Sequence, residues 1–171
     1  VSGRVALLDT DSLAPGQSCL AQLVLNAPAH AVHGDRVVLR DQSAQRTLGG
    51  GQVLDPFAPA RGRRSSPRLV QLQALRSASL EEALPALLQS AGNGLDPALL
   101  ERQFNRQRDS WTLPSGLCEL VTRQGTRLFD ATQLQALREA LVEGLRRFHA
   151  ESPDELGPDR DRLRRYALSE L

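Results

Sequence analysis

The spacing of apolar residues changes character most sharply at one segment, FAPARGRRSSPR at residues 57–68. Before it, apolar residues alternate with polar ones or sit in short runs between turn clusters, as in strands. Beyond it they recur mainly at steps of three and four, as on one face of a helix, with a strand-like interruption over 110–130. The segment itself holds Pro, Gly, Ser and Arg with no period, which is a linker signature. The pattern therefore predicts a β part over 1–56, an Arg-rich linker over 57–68, and helical units from residue 69 onward.

Within the β part, Val5 and Leu7 alternate with Arg4 and Ala6, and Asp9-Thr10-Asp11-Ser12 and Ala14-Pro15-Gly16 read as turns. Cys19 to Leu25 carries apolar residues on both faces, as a doubly buried strand would. His33-Gly34-Asp35 is a further turn before Arg36–Arg40, and the last strand pairing spans roughly 45 to 54. Four short strands predict part of an antiparallel barrel or sandwich, too small to close by itself. The triplet Gly49-Gly50-Gly51 resembles a phosphate loop only in composition. Such a loop opens a helix and ends in Gly-Lys-Ser/Thr, whereas here Gln52-Val53-Leu54-Asp55 follows and all 21 basic residues are arginine. A bulge or a close backbone approach in a strand is the expected role.

In the helical part, Ser79-Leu80-Glu81-Glu82 forms a capping-box pattern, with Pro85 expected to kink or delay the helix. Gly92-Asn93-Gly94 ends it, and Asp96-Pro97 starts the next, with Leu99, Leu100 and Phe104 on one side. Residues 110–130 predict short strands around a wing, with Pro-Ser-Gly and Gln-Gly-Thr turns; a short helix is the alternative over 109–121. Asp130 then caps a long helix with Leu134, Leu137, Leu141, Leu145 and Phe148 on one stripe, and a last helix begins near Asp159. Helices followed by a β-wing form a winged-helix plan, an α+β variant of the helix-turn-helix. Residues 69–129 are expected to be the first such unit and 130–171 the opening of a second.

No hydrolytic chemistry is visible. The serines lack a Gly-x-Ser-x-Gly setting, His149 sits at a helix end, and His30 and His33 lack a third ligand at metal-binding spacing. Two distant cysteines, Cys19 and Cys118, define neither a disulfide framework nor a zinc site. Net charge is +1, but unevenly placed: residues 57–68 contain Arg61, Arg63, Arg64 and Arg68 and no acid. Arg102, Arg106 and Arg108 decorate the polar side of a helix in the first winged-helix unit. Planar guanidinium forks suit phosphate oxygens and base edges, so these seven arginines are the candidate RNA-binding residues. The chain is expected to be a piece of a longer, cytoplasmic polypeptide with no membrane segment.

The stretch VVLRDQSAQRTLGGGQVLDP (37–56) resembles the end of the third domain of elongation factor Tu-like GTPases, and most closely the bacterial selenocysteine-specific elongation factors. PGQSCLAQLVL (15–25) and HGDRVVLRD (33–41) fit the same barrel, and LRRFHAESPDELGPDRDRLR (145–164) is similar to the start of that family's second winged helix. The resemblance implies a factor delivering selenocysteinyl-tRNA to UGA codons on the ribosome, with distal winged helices gripping an mRNA hairpin. It places GTP and Mg in an N-terminal GTPase domain outside these residues, and implies no cofactor and no catalytic site within them. A monomer is expected, although exposed strand edges can pair between chains in a crystal. The competing expectations are a winged-helix DNA-binding transcriptional regulator, which the balance of 6 Arg and 6 acids in residues 69–128 disfavours, and a protein-docking module.

Overall fold

Strand β1 (Gly3–Leu7) runs antiparallel to β2 (Ala21–Leu25), and β3 (Arg36–Arg40) to β4 (Thr47–Gln52). The computed structural model describes residues 1–77, 79–122 and 125–168. Among them the first four strands make two separate two-stranded ladders, a part of a barrel and not a closed one. The register of the second ladder explains the glycine triplet. Gly49, Gly50 and Gly51 stand opposite Leu39, Val38 and Val37, and the register slips between Leu39 and Arg40, which leaves Leu48 unmatched as a bulge. A Cβ on Gly50 would stand 2.8 Å from the Val37 carbonyl oxygen, so the strands approach too closely there for a side chain. The turn between these strands is held by Asp41, whose carboxylate accepts from the backbone N–H groups of Gln45 and Arg46. The Arg46 donor, with smaller help from its neighbours, holds the Asp41 carboxyl below its usual range.

One expectation is corrected here. Strand β2 is half-exposed rather than doubly buried. Among the described residues it has a single strand neighbour, β1, and its other edge carries no strand partner.

Helices α1 (Ser66–Ala74), α2 (Leu80–Ser90) and α3 (Pro97–Phe104) follow. Helix α1 starts inside the segment read as linker because Pro67 lies in its first turn, where a missing N–H costs no hydrogen bond and the fixed φ is already helical. Helix α2 continues through Pro85 without ending there. The proline lies on its exposed face, while Leu80, Ala83, Leu84, Leu87 and Leu88 are buried. Burying four leucines contributes roughly 2 kcal/mol each, against about 3 kcal/mol for a proline inside a helix, so packing overrides the breaker. The Ser79 hydroxyl accepts from the Glu82 N–H at 3.3 Å, the forward half of the expected capping box. Helix α3 is capped as expected, Asp96 accepting from the Ala98 and Leu99 N–H groups. Leu72, Leu75 and Leu100 complete this core.

The wing is a hairpin of β5 (Leu117–Thr122) and β6 (Gly125–Asp130), preceded by a single 3-10 turn at Arg108–Ser110. Within the ambiguous 109–121 stretch the strand therefore begins only at Leu117, and the helical alternative is confined to the last residues of the 3-10 turn. The Gln-Gly-Thr turn falls partly on residues 123–124, outside the described residues. Leu95 bridges to β6 through two backbone bonds with Leu128, of 2.9 and 2.8 Å, which adds the short third strand of a winged helix. Asp130 ends β6 and caps α4 (Ala131–Glu151) in a complete capping box with Gln133. Helix α5 (Arg160–Leu168) packs back on α4, with Gly144 against Ala167 and Phe148 fully buried beneath Tyr166 and Arg162. The apolar stripe of α4 is covered unevenly: Phe148 is buried and Leu134 and Leu137 are half-buried, whereas Leu141 and Leu145 are 40% and 37% exposed.

The compact units divide differently from the sequence segments. One comprises Val1–Ser90 with Asp96–Leu113, the other Ala91–Leu95 with Pro114–Leu171. The first three helices thus group with the barrel strands, whereas the wing groups with α4, into which β6 passes without a loop. No helix among the described residues is long and apolar enough to cross a membrane.

Candidate nucleic-acid interface

The four arginines of the 57–68 segment have different surroundings. Arg61 is exposed and Arg63 half-exposed, and neither guanidinium is tied to a carboxylate among the described residues. Arg64 reaches back across the strands: its Nε donates to the Leu7 carbonyl at 3.2 Å, and its Nη2 to the Thr10 carbonyl at 2.9 Å and to Asp11 at 2.8 Å. Arg68 is largely removed from solvent. Its Nη1 lies 2.7 Å from Asp55 Oδ2, with side-chain exposures of 10% and 9%, and it also donates to Gln71 Oε1. The segment is further held by Gln22, whose Nε2 donates to the Pro59 carbonyl.

The helix arginines divide similarly. Arg102 is exposed; its Nε donates to the Ala98 carbonyl, and its guanidinium carbon lies 5.5 Å from the centre of the Phe57 ring. Arg106 bonds Glu81 Oε2 at 2.9 Å and the Ser110 carbonyl at 2.7 Å. Arg108 is half-exposed, and its backbone N–H donates to Glu101. Of the seven candidate arginines, Arg61, Arg63 and Arg102 therefore turn a charge to solvent with no carboxylate bound to it among the described residues. Phe57, 46% exposed and faced by Arg102, is a member the sequence reasoning did not select. Its signal was available as a lone aromatic at the head of a basic run. An exposed ring beside cations is the combination on which single-stranded bases stack.

Hydrogen bonding by Arg106 is the main cause that holds the Glu81 carboxyl below its ordinary value of 4.5. A carboxyl with a depressed folded-state pKa contributes stability that is complete above its unfolded value and is lost as pH falls through the folded one. The stability difference between the wild type and Glu81→Gln is expected to be constant above about pH 5 and to shrink below about pH 4.5. Urea titrations at several pH values check this, and a difference that persists unchanged at about pH 3 contradicts it.

Groups of three or more metal-ligating side chains are absent among the described residues. Cys19 and Cys118 are free thiols, both half-buried.

Comparison with known proteins adds a lineage to this geometry. Residues 1–60 match the family described as the selenocysteine-specific elongation factor, beta-barrel domain. Residues 142–171 match the elongation factor SelB winged helix. The chain is 33% identical to the selenocysteine-specific elongation factor of Escherichia coli K12, over 98% of this chain and 26% of that protein. It is 30% identical to the one from Desulfomicrobium baculatum, over 95% of this chain and 27% of the relative. The Haemophilus influenzae factor is 26% identical, over 97% of this chain and 26% of that protein. The chain thus spans about a quarter of the length of the curated relatives it matches.

Proposed function

With the β-barrel domain of the selenocysteine-specific elongation factors at residues 1–60 and their winged helix at 142–171, the chain belongs to that family, and from that premise we propose that it links the RNA-binding ends of such a factor. On this reading the barrel lies on the side of selenocysteinyl-tRNA, and the winged helices lead toward an mRNA hairpin, so that delivery at a UGA codon on the ribosome depends on a signal bound elsewhere. Joining two binding sites in one molecule raises the effective concentration of the second, provided that the connection spans them. GTP and Mg belong to a part of the factor outside residues 1–171, and the working place is the cytoplasm. The observation that carries the proposal is the order of the two matched domains in one chain, barrel first and winged helix after.

Within this role, Arg61, Arg63 and Arg102 are the arginines proposed to touch RNA phosphates, with Phe57 available to a base. Arg64, Arg68 and Arg106 have intramolecular partners that compete for the same guanidinium groups. RNA binding should weaken as salt rises, and removing one arginine–phosphate pairing should reduce the slope by roughly 0.7–0.9. The double change Arg61→Ala/Arg63→Ala is expected to flatten that slope, whereas Arg68→Gln leaves it unchanged. The assay is titration of a fluorescent structured RNA at several salt concentrations, and a slope identical in wild type and double variant refutes the phosphate role. Hairpin affinity of this chain against that of a longer chain with further winged helices tests the linking role. Equal, tight binding by the shorter chain overturns it.

A further inference from the structure

We infer that the barrel strands and helices α1–α3 form one mechanical body latched at Leu54–Asp55, and that residues 57–68 are a strap across it instead of a flexible tether. Donors from three distant parts of the chain converge on those two residues. The Leu54 carbonyl accepts from His33 Nδ1 at 2.9 Å and from Gln103 Nε2 at 3.1 Å. A carbonyl can only accept, so His33 carries a proton on Nδ1. Asp55 takes Arg68 on one oxygen and the Phe57 N–H on the other. The His33 backbone N–H donates to the Gln103 carbonyl at 2.7 Å, and its ring lies 4.3 Å from the ring of Phe104.

Burial makes these bonds specific. Gln103 is 4% exposed, and an amide in such a place must find its partner inside the protein. Water cannot replace the Leu54 carbonyl without opening the packing around α3. The latch also fixes the strand end. Val53 donates to the Asp35 carbonyl at 2.8 Å and accepts from Gly34 at 2.9 Å, so the turn that carries His33 is bonded to the same segment, just past β4, that carries Leu54. A displacement of α3 therefore reaches the barrel through hydrogen bonds and a ring contact, without a compliant loop between them. Arg64 and Gln22 hold the strap flat against strands β1 and β2.

The inference deepens the linking role proposed above and rests on it for its consequence, which is that the junction transmits movement. The latch itself is measured without RNA, so its failure is distinguishable from failure of the salt test. Native-state hydrogen exchange on the full 171-residue chain in rising urea reads it. In the wild type, the amides of Gly34 and Val53 on the barrel side and of Leu100 in α3 are expected to share one opening, with protection within about threefold and equal urea dependence. In Gln103→Leu, Gly34 and Val53 are expected to exchange about tenfold or more faster than Leu100. Two results overturn the inference. One is a wild type in which the barrel amides already exchange about tenfold faster, with a shallower urea dependence. The other is a Gln103→Leu variant in which the ratio stays at its wild-type value.

Discussion

Gly94→Ala is expected to destabilise the wing-bearing unit by about 2–4 kcal/mol, combining a left-handed backbone penalty with overpacking. Gly94 has φ +69°, a conformation in which a Cβ meets the following carbonyl. Space is lacking as well. An added Cβ would stand 2.7 Å from Phe129 Cζ and 2.8 Å from the Leu128 carbonyl oxygen. Neither neighbour can retreat cheaply, since Phe129 is buried and Leu128 is bonded through its backbone to Leu95, the residue next to the substitution. Moving the chain to make room breaks the pairing that adds the third strand of the winged helix. For a unit of this size the expected fall in Tm is on the order of 10 °C. Gly92→Ala is the control: no heavy atom lies within 4 Å of its added Cβ, and its effect should stay within about 0.5 kcal/mol. Thermal unfolding followed by circular dichroism reads both, and equal Tm values for the two variants contradict the argument.

Arg68→Ala is expected to cost about 3 kcal/mol, because it leaves the Asp55 carboxylate buried without its cation. Arg64→Ala removes an ion pair of 2.8 Å, close in length to that of Arg68, but its partners are 50% and 94% exposed. Water replaces the missing cation there, and the expected cost is below about 1 kcal/mol. The comparison isolates burial as the cause. Most of the loss in Arg68→Ala should be recovered in Arg68→Ala/Asp55→Ala, since removing both charges leaves no orphan. The midpoint of urea unfolding, read by the fluorescence of Trp111, the single tryptophan, supplies the numbers. A double variant as unstable as the sum of its singles would show that the two groups do not interact.

These two positions also mark how far sequence reasoning reaches. The turn at Gly92-Asn93-Gly94 was legible, because glycine after an apolar-periodic helix is a stop signal. That Gly94 lies under the Phe129 ring was not, because the two residues are 35 positions apart. Arg68 was legible as a cation in a basic run, and composition alone makes such a run a candidate for phosphates. Its actual neighbour, Asp55, lies 13 residues earlier, at a separation for which no sequence period exists. The same holds for Arg106 with Glu81. The arginines with an outward-facing charge and those with internal partners carry identical local signals.

The elements themselves came from local chemistry. Capping at Asp96 and Asp130, the glycine run in β4 beside the Leu48 bulge, the wing hairpin and the four-strand start all depend on residues close together in the chain, which is why one sequence suffices to read them. Tertiary packing decided the rest. It carried α2 through Pro85, left β2 half-exposed, and brought Arg68 of α1 and Gln103 of α3 to Asp55 and Leu54. Backbone preferences differ by a kcal/mol or so per residue and act locally, whereas burial of several leucines outweighs them and, like the cost of orphaning one buried charge, acts between residues that only the fold brings together.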